Sequence, residues 1–360
     1  MAKVLLGLSG GVDSSVSALL LKEQGHDVTA IYIKNMEGEE ENDQNLIDAR
    51  NVALKLGIHF KSVNLVSENK DYVFNYFIDE YKNGRTPSPC IMCNKNIKFK
   101  AFLDLAQNYD ADYIAMGHYA KTEVINGVTH LVKGEDRNKD QTYFLCLLTK
   151  DQVQRTLFPV GHLTKDKVRE IAQVNGLLTA RKKDSMDICF VGKGKFDDFI
   201  DQYIEAKKGP MLTLDSKKIG EHNGLFHYTI GQRKGLSIGG LNGYGNEPWF
   251  TIGKDLEKNI LYVGQGFHNP YLYSNKCICT NYSFNSITLD ENKTYNVKFR
   301  YRSEDVKAQI KVLNDNELLV TYEPTRAVTP GQACAIYDGD ICLGGAIIDK
   351  VYQNDEVRKY

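Results

Sequence analysis

A short apolar run, Val4-Leu5-Leu6-Gly7-Leu8, passes directly into Ser9-Gly10-Gly11-Val12-Asp13-Ser14-Ser15. A helical pattern from Val16 to Gln24 follows and is stopped by Gly25. The run has the continuity of a strand buried on both faces, and the segment after the glycines has helical periodicity. A buried strand feeding a helix through a tight turn belongs to a parallel sheet covered by helices. The junction also has the outline of an anion site. N–H groups and the dipole at a helix N-terminus favour negative charge. Glycines let the backbone approach a phosphate without a Cβ in the way. Ser9, Ser14 and Ser15 offer hydroxyls, and Asp13 offers a carboxylate for a cation bridging phosphates. A bare Gly-Gly would read as a strand-to-helix turn with a capping Asp, but this hydroxyl-rich stretch asks for more. No Lys follows the glycines as in a Walker loop. No third Gly stands at the spacing of a dinucleotide fingerprint.

The 360 residues allow two or three domains. An apolar fraction of 42% and a charged fraction of 25% are ordinary for a soluble globular protein. No apolar run approaches the ~20 residues of a membrane helix, and the N-terminus enters a strand with no signal-peptide pattern. A cytoplasmic chain with no membrane partner is expected. Its eight cysteines are too scattered for a secreted disulfide framework. The net charge of −1 supplies no global basic field, so a nucleic-acid partner would have to be met by a local patch.

Along the chain, Asp27–Ile33 reads as a second strand, residues 37–43 as an acidic surface loop, and Leu46–Leu56 as a helix ending at Gly57. Phe60–Leu65 is a third strand. Asp71–Tyr81 is an amphipathic helix with Phe74, Phe77, Ile78 and Tyr81 on one face. In such sheets ligands bind outside the carboxyl ends of the strands, where Ser9 sits. Two prolines stiffen Gly84–Pro89 ahead of Cys90-Ile91-Met92-Cys93, and a basic helix follows. Asp112–Met116 is a further strand running into Gly117-His118-Tyr119. A hairpin-like stretch, the segment Asp136–Gln141 and a helix from Lys165 to Asn175 come next. From about residue 205 short β-like runs replace the helical pattern. Gly224–Gly235 is glycine-rich and basic. Strands are expected near 249–252, 260–263, 295–301, 307–313, 317–322, 333–337 and 341–350, the last five as a small antiparallel sheet or barrel.

Cys90-x-x-Cys93 has three readings. Zinc needs two further ligands, and Cys277-x-Cys279 is badly spaced for that. A buried pair without chemistry is the ordinary fate of cysteine and ranks first on the pair alone. A reactive thiol is the third, since Lys95, Lys98 and Lys100 would favour the thiolate. Cys189 shifts the weighting. It stands beside Lys182 and Lys183, with Asp184 and Asp187 close by, after an α/β unit whose loops face the ligand edge. A phosphate loop and two cysteine loops on one edge point to sulfur transfer, in which one cysteine carries a persulfide and a partner resolves it as a disulfide.

Ser-Gly-Gly-Val-Asp-Ser resembles the pyrophosphatase loop, SGGxDS, of the ATP pyrophosphatases, which adenylate a carbonyl oxygen and release pyrophosphate. Nearly the whole chain is similar to the tRNA-specific 2-thiouridylases. The resemblance runs through Gly7–Ser15, Arg85-Thr-Pro-Ser-Pro89, Cys93-Asn94 with Ile97-Lys98-Phe99, Gly117–Ala120, Lys139–Gln141, Asp187–Val191, Tyr228–Gly235, Arg300-Tyr301-Arg302 and Pro330-Gly331-Gln332. It implies an α/β parallel-sheet domain of the adenine-nucleotide α-hydrolase (PP-loop) type over 1–203. A central β-rich domain over 204–273 and a C-terminal antiparallel β-barrel over 274–360 would both bind tRNA. ATP would lie on Gly7, Leu8, Ser9, Gly10, Gly11, Val12, Asp13 and Ser14, with Ile33 and Gly117 near the adenosine. Cys93 would be the nucleophile and Cys189 the persulfide carrier. Ser88, Pro89 and Cys90 would lie near the target base. His118, Lys139, Asp140, Gln141, Arg300, Tyr301 and Gln332 would contact tRNA. Read without the resemblance, His118 is a local hydrogen-bonding residue, Arg300 and Arg302 alternate on the solvated face of a strand, and Gln332 is a turn residue. Three positions depart from the family. Cys90 stands where many members carry an acid/base carboxylate, Ile33 where methionine is frequent, and Met36 where tryptophan is common.

The expected reaction is adenylation of the O2 oxygen of the wobble uridine, with magnesium accompanying ATP and no protein-held metal. Sulfur from Cys189 then reaches C2, directly or as sulfide released by Cys93. The wobble base leaves its stack to reach the site. A sulfur-relay or cysteine-desulfurase protein would supply the sulfur to a monomeric enzyme. Three rivals stand beside this reading. Cys90, Cys93 and Cys189 are thiolates enough for an iron–sulfur cluster. A nitrogen-transferring ATP pyrophosphatase would need an ammonia source, and no glutaminase-like segment is visible. An RNA-binding module switched by nucleotide would release no pyrophosphate.

Overall fold

The computed structural model describes residues 1–36, 43–184, 188–191, 196–239, 243–285 and 289–358. The acidic stretch 37–42 and Asp187 therefore lie outside the described residues. Strand β1, Lys3–Gly7, is the centre of a five-stranded parallel sheet. Its neighbours are β2 (Asp27–Lys34), which pairs outward with β3 (His59–Asn64), and β4 (Tyr113–Ala115). Val4, Leu5 and Leu6 are buried because helices cover both faces of the sheet. Helix α1 (Val12–Glu23) leaves β1 through the glycines. Helix α2 (Gln44–Leu56) starts on Asp43, whose carboxylate accepts from the Asn45 and Leu46 amides, and ends at Gly57. The amphipathic helix falls at 70–82, winding loosely over its first turn. Phe77, Ile78 and Tyr81 pack there with Ile200 and Phe226.

Residues 120–133 form a true hairpin, β5 (Ala120–Ile125) with β6 (Val128–Lys133). It does not stay with its own sheet: β6 pairs with a strand of the C-terminal barrel through Val132–Ile341 and Leu131–Cys342. The two-residue strand β7 (Thr156–Leu157), silent in the sequence, completes the parallel sheet beside β4.

The middle of the chain folds as a four-stranded sheet. It contains β8 (Gly209–Leu212), β9 (Lys218–His222), β10 (Trp249–Asp255) and β11 (Ile260–Gln265) in the order β10-β11-β8-β9. The C-terminal part is a closed six-stranded antiparallel barrel. Its strands are β12 (Tyr273–Phe284), β13 (Thr294–Lys298), β14 (Val306–Asn314), β15 (Glu317–Arg326), β16 (Ala333–Asp338) and β17 (Ile341–Gln353), and β12 closes it against β17. Strand β13 ends at Lys298, short of the expected 301. The Ser303 amide and hydroxyl both donate to the Arg300 carbonyl and fold this segment into a turn. Arg300 and Arg302 therefore do not alternate on a strand; Arg302 is exposed and Arg300 points inward.

All three parts meet at residues 84–86. The Thr86 amide donates to the Pro330 carbonyl, its hydroxyl meets Thr229, and Arg85 reaches Asp349. Lys254 of β10, buried, donates to the Gly84 carbonyl at 2.8 Å. Burial without a carboxylate pulls this ammonium down to about 7. The unfolded chain keeps its proton up to about pH 10, so it binds more protons than the native state between the two values. Stability is then expected to rise with pH across that window. Thermal melts at pH 7 and 9.5 should show this gain in the native protein and its loss in Lys254→Met. An equal gain in both would refute the assignment.

Candidate active site

The loop leaving β1 is shaped by close approaches. Gly10 has φ +73, and a Cβ there would lie 2.2 Å from the Asn45 carbonyl oxygen. A Cβ on Gly117, just beyond β4, would lie 2.8 Å from the Ser14 amide nitrogen, so only glycine lets β4 pack on the first turn of α1. The N-cap of α1 is Gly11, and no side chain caps the helix. Asp13 is thus not the helix cap that a plain strand-to-helix turn would make it, and the first-turn amides are left without a side-chain cap. Ser14 Oγ accepts from the Ser9 amide at 3.2 Å and meets Ser9 Oγ at 3.1 Å, which closes a small polar bowl. Gly7, Leu8, Ser9 and Val12 complete this strand-to-helix passage, with Leu8 and Val12 buried beneath it. Ile33, half-buried near the end of β2 beside Val63, reaches the same carboxyl edge.

Asp13 has partners that the sequence did not reveal. Both its oxygens accept from Lys165 Nζ at 2.8 Å, and one also accepts from the Tyr119 hydroxyl at 2.7 Å. Lys165 also pairs with Asp184 at 2.7 Å. Desolvation opposes ionisation of Asp184, but hydrogen bonds from Lys139 and Lys165 hold its carboxyl down to about 2. Lys182 donates to the Gly10 carbonyl and Asn45 and pairs with Asp48. It therefore serves the loop rather than the Cys189 thiol beside which the sequence set it. A clue to Lys165 did exist. It opens the helix Lys165–Val174 behind the cap Thr164, where a cation opposes the helix dipole and calls for an outside carboxylate.

The cysteines lie on segments packed against the same sheet: Cys93 and the Phe190 next to Cys189 both join the core that holds Leu5 and Ile114. Ser88 precedes the short helix Pro89–Met92, whose first turn carries Cys90, and a π-helical stretch Cys93–Ala101 continues it. Cys93 is buried, whereas Cys90 and Cys189 are exposed. Desolvation pushes all three thiols up; Lys98 pulls each of them back down. Cys93 also raises Cys189, and Cys189 in turn raises Cys90. Cys189 is held there through Phe190, whose ring meets Phe77 at 5.2 Å and Phe74 at 5.8 Å. Among the described residues no group of three His, Cys, Asp or Glu side chains is set to hold a metal ion.

His118 lies against Phe99, with ring centroids 5.6 Å apart, and its Nδ1 is buried with no partner. Burial, and then Lys98, keep this imidazole well below its ordinary value and so neutral. Lys139 pairs with Asp184. Asp140 is buried and accepts from the Gly134 amide and the Thr142 hydroxyl. Gln141 accepts from the Tyr119 amide. These three residues brace the back of the Asp13 site. Tyr301 lies at 4.4 Å from the Phe144 ring. Arg300 donates to the Ile230 carbonyl and Thr329, and Gln332 donates to the Thr86 carbonyl at 2.7 Å. These last two tie the three parts of the molecule together behind Ser88, Pro89 and Cys90.

Three family models match in succession. Residues 2–193 match the tRNA methyl transferase HUP domain, 197–265 the tRNA methyl transferase PRC-barrel domain, and 274–348 the aminomethyltransferase beta-barrel domain. Curated relatives align almost from end to end. A protein of Streptococcus mutans named tRNA-specific 2-thiouridylase MnmA is 50% identical over 366 residues, covering 99% of this chain and 98% of its own. Proteins of the same name from Streptococcus thermophilus and Staphylococcus aureus are 51% and 50% identical, each with 99% of this chain and 98% of its own covered. With the uncapped glycine-serine turn before α1, the two cysteine-bearing segments and this similarity across all three parts, the chain belongs to the tRNA-specific 2-thiouridylase family.

Proposed function

We propose that the protein converts a uridine of tRNA, the wobble uridine, into 2-thiouridine at the expense of ATP. One observation carries the reading: Cys93 and Cys189, nearly a hundred residues apart, are brought within electrostatic reach of each other beside the parallel sheet whose first strand leads into the Ser9–Ser15 bowl. ATP lies along Gly7–Ser14, with Ile33 and Gly117 beside the adenosine. The uridine O2 attacks the α-phosphate and pyrophosphate departs toward the first-turn amides of α1, which stabilise its charge. A persulfide on Cys189 delivers its outer sulfur to C2, and AMP leaves. Cys93 attacks the inner sulfur of Cys189, frees the thiocarbonyl, and leaves a Cys93–Cys189 disulfide for a thiol reductant. A protein-held magnesium does not fit as the side chains stand, because Lys165 and Tyr119 occupy the Asp13 carboxylate. Magnesium would enter with the nucleotide and help to stabilise the departing pyrophosphate.

Residues 1–203 carry the chemistry, while residues 204–273 and 274–360 hold the RNA. Ser88, Pro89, Cys90 and neutral His118 face the extruded base. Lys139, Asp140, Gln141, Arg300, Tyr301 and Gln332 form or brace the tRNA surface. Phosphate contacts make affinity fall with salt. A sulfur-relay or desulfurase protein loads Cys189 in the cytoplasm, and the enzyme acts as a monomer.

The test is nucleoside mass spectrometry of tRNA after incubation with the protein, ATP and a sulfide source. The expected product is 2-thiouridine, with one pyrophosphate released per modified base. An aminated nucleoside would point to nitrogen transfer, and absence of tRNA-dependent pyrophosphate to a binding module. Activity found only in an anaerobically purified, iron-bearing, coloured protein would favour a cluster mechanism on Cys90, Cys93 and Cys189.

A further inference from the structure

The stretch Cys93–Ala101 is wound as a π-helix over nine residues, and the Phe102 amide closes it on the Ile97 carbonyl five residues back. Such winding is uncommon and recurs at functional sites. It changes which side chains share a face. At 3.6 residues per turn, positions five apart point about 140° away from each other. With i to i+5 hydrogen bonds they fall on one side. Cys93 and Lys98 are five apart. Ile97 and Phe99 point into the core. Lys100 lies over the Tyr72 ring, and the thiol that acts on Lys95 is the buried Cys146 rather than Cys90, Cys93 or Cys189. Of the three lysines after the cysteines, Lys98 alone turns to the thiols.

Three chain segments converge on it. Cys90 and Cys93 come from its own helix, Cys189 from the loop anchored by Phe190, and His118 from the end of β4. Among the described residues no carboxylate pairs with Lys98 and no carbonyl accepts from it. Its charge is therefore uncompensated until a thiol ionises. His118 is neutral and does not compete.

We propose that Lys98, delivered by the π-helical winding, is the positioning residue that holds negative charge on the sulfurs of Cys93 and Cys189 during sulfur transfer. The proposal rests on the reading of those two cysteines as the reacting pair. Cys93 gives its proton to solvent and remains as a thiolate beside the ammonium. When it attacks the inner sulfur of Cys189, whose outer sulfur is by then bonded to C2, the Cys93–Cys189 bond forms, the bond between the inner and outer sulfurs breaks, and its electron pair leaves with the thiocarbonyl sulfur. Nothing else is oxidised or reduced. Lys98 interacts electrostatically with both Cys93 and Cys189, so it accompanies the charge from the attacking thiolate to the leaving sulfur. This role matters because desolvation works against a thiolate at Cys93, and Lys98 is the group that opposes it most.

The experiment is alkylation of Cys93 and Cys189 by iodoacetamide in the full-length protein, followed by peptide mass spectrometry from pH 6 to 10. Lys98→Met is expected to move the pH midpoint for Cys93 up by about one unit and slow alkylation at pH 7 about tenfold. Lys98→Arg should follow the native profile, which loss of packing alone would not produce. Lys98→Gln, closer in length and polarity, carries the same test, with each variant's thermal melt recorded beside it. A native pH profile in Lys98→Met and Lys98→Gln would overturn the proposal, as would an Arg variant that behaves like Met. Cys93→Ser separates the two levels. If it still thiolates tRNA, the reading of the reacting pair has failed; if it is inactive while Lys98→Met titrates normally, only the role of Lys98 has.

Discussion

Cys93→Ser and Cys189→Ser are each expected to abolish 2-thiouridine formation while tRNA-dependent pyrophosphate release survives. The sulfur step needs one atom to carry sulfane sulfur and another to attack it. A serine hydroxyl does neither, because it forms no persulfide and does not ionise near neutral pH. Adenylation uses the bowl around Gly10, Gly11 and Ser14, to which neither cysteine belongs. The substitutions are also mild for the fold. Cys93 is buried in a cluster with Ile91, Met92 and Ile97, and serine conserves its volume apart from a buried hydroxyl, at a cost of about 1–3 kcal/mol. Cys189 is solvent-open, and its loop is anchored by Phe190 rather than by its own thiol. Nucleoside mass spectrometry and a pyrophosphate assay on the same sample decide the matter. Normal thiolation by Cys189→Ser would remove the persulfide from the mechanism. Loss of pyrophosphate release in both variants would mean that the two chemistries are not separable.

Lys165→Met should weaken both the fold and ATP binding. The ammonium joins Asp13 of the bowl to Asp184 of the segment leading to Cys189, and its side chain is only 9% exposed. Its removal leaves two carboxylates facing each other. The loss should be a few kcal/mol, toward the low end of the ~3–5 kcal/mol seen when a buried ion pair loses one partner, because water still reaches Asp13 and Asp184. Tyr119, Lys139 and Arg169 retain their share of the network. The pH dependence has a definite sign. Asp184 is held down to about 2, so its contribution is present above the ordinary carboxylate range and fades as pH falls toward 2. The gap between native and variant stability should therefore be widest at pH 7 and narrow in acid. Urea unfolding at pH 7 and pH 3 measures it. Equal stability at pH 7 would show that the bridge contributes nothing net, as many partly exposed pairs do.

The local elements were legible because local patterns cause them. The apolar run at Val4–Leu6 became the central strand, Asp43 and Gly57 bounded α2, and the face of Phe77, Ile78 and Tyr81 was buried as its spacing required. The misses were of another kind. The alternation of Arg300 and Arg302 looked like a strand, but Ser303 turns the chain through two hydrogen bonds to one carbonyl. Lys182 was adjacent in sequence to the Cys189 segment, yet its ammonium crosses to Gly10, Asn45 and Asp48. Lys98 was one of three lysines with equal claims, and the choice depended on a helix wound to an unusual pitch.

By itself the sequence determined the strand-glycine-helix junction, the order of α/β and β parts, the two cysteine loops and the family. Each of these is written in neighbouring residues or in motifs a few positions long. Only the tertiary structure decided that the β5–β6 hairpin leaves its own sheet to pair with β17, and that β12 closes the barrel. It also decided that Arg85 and Thr86 lock three parts together and that Lys165 bridges Asp13 to Asp184. The physical reason is common to all four. Such pairings join residues tens to hundreds of positions apart, and they are selected by whichever arrangement buries apolar surface while leaving each charge and backbone group a partner. That condition belongs to the whole packed chain and to no local segment of it.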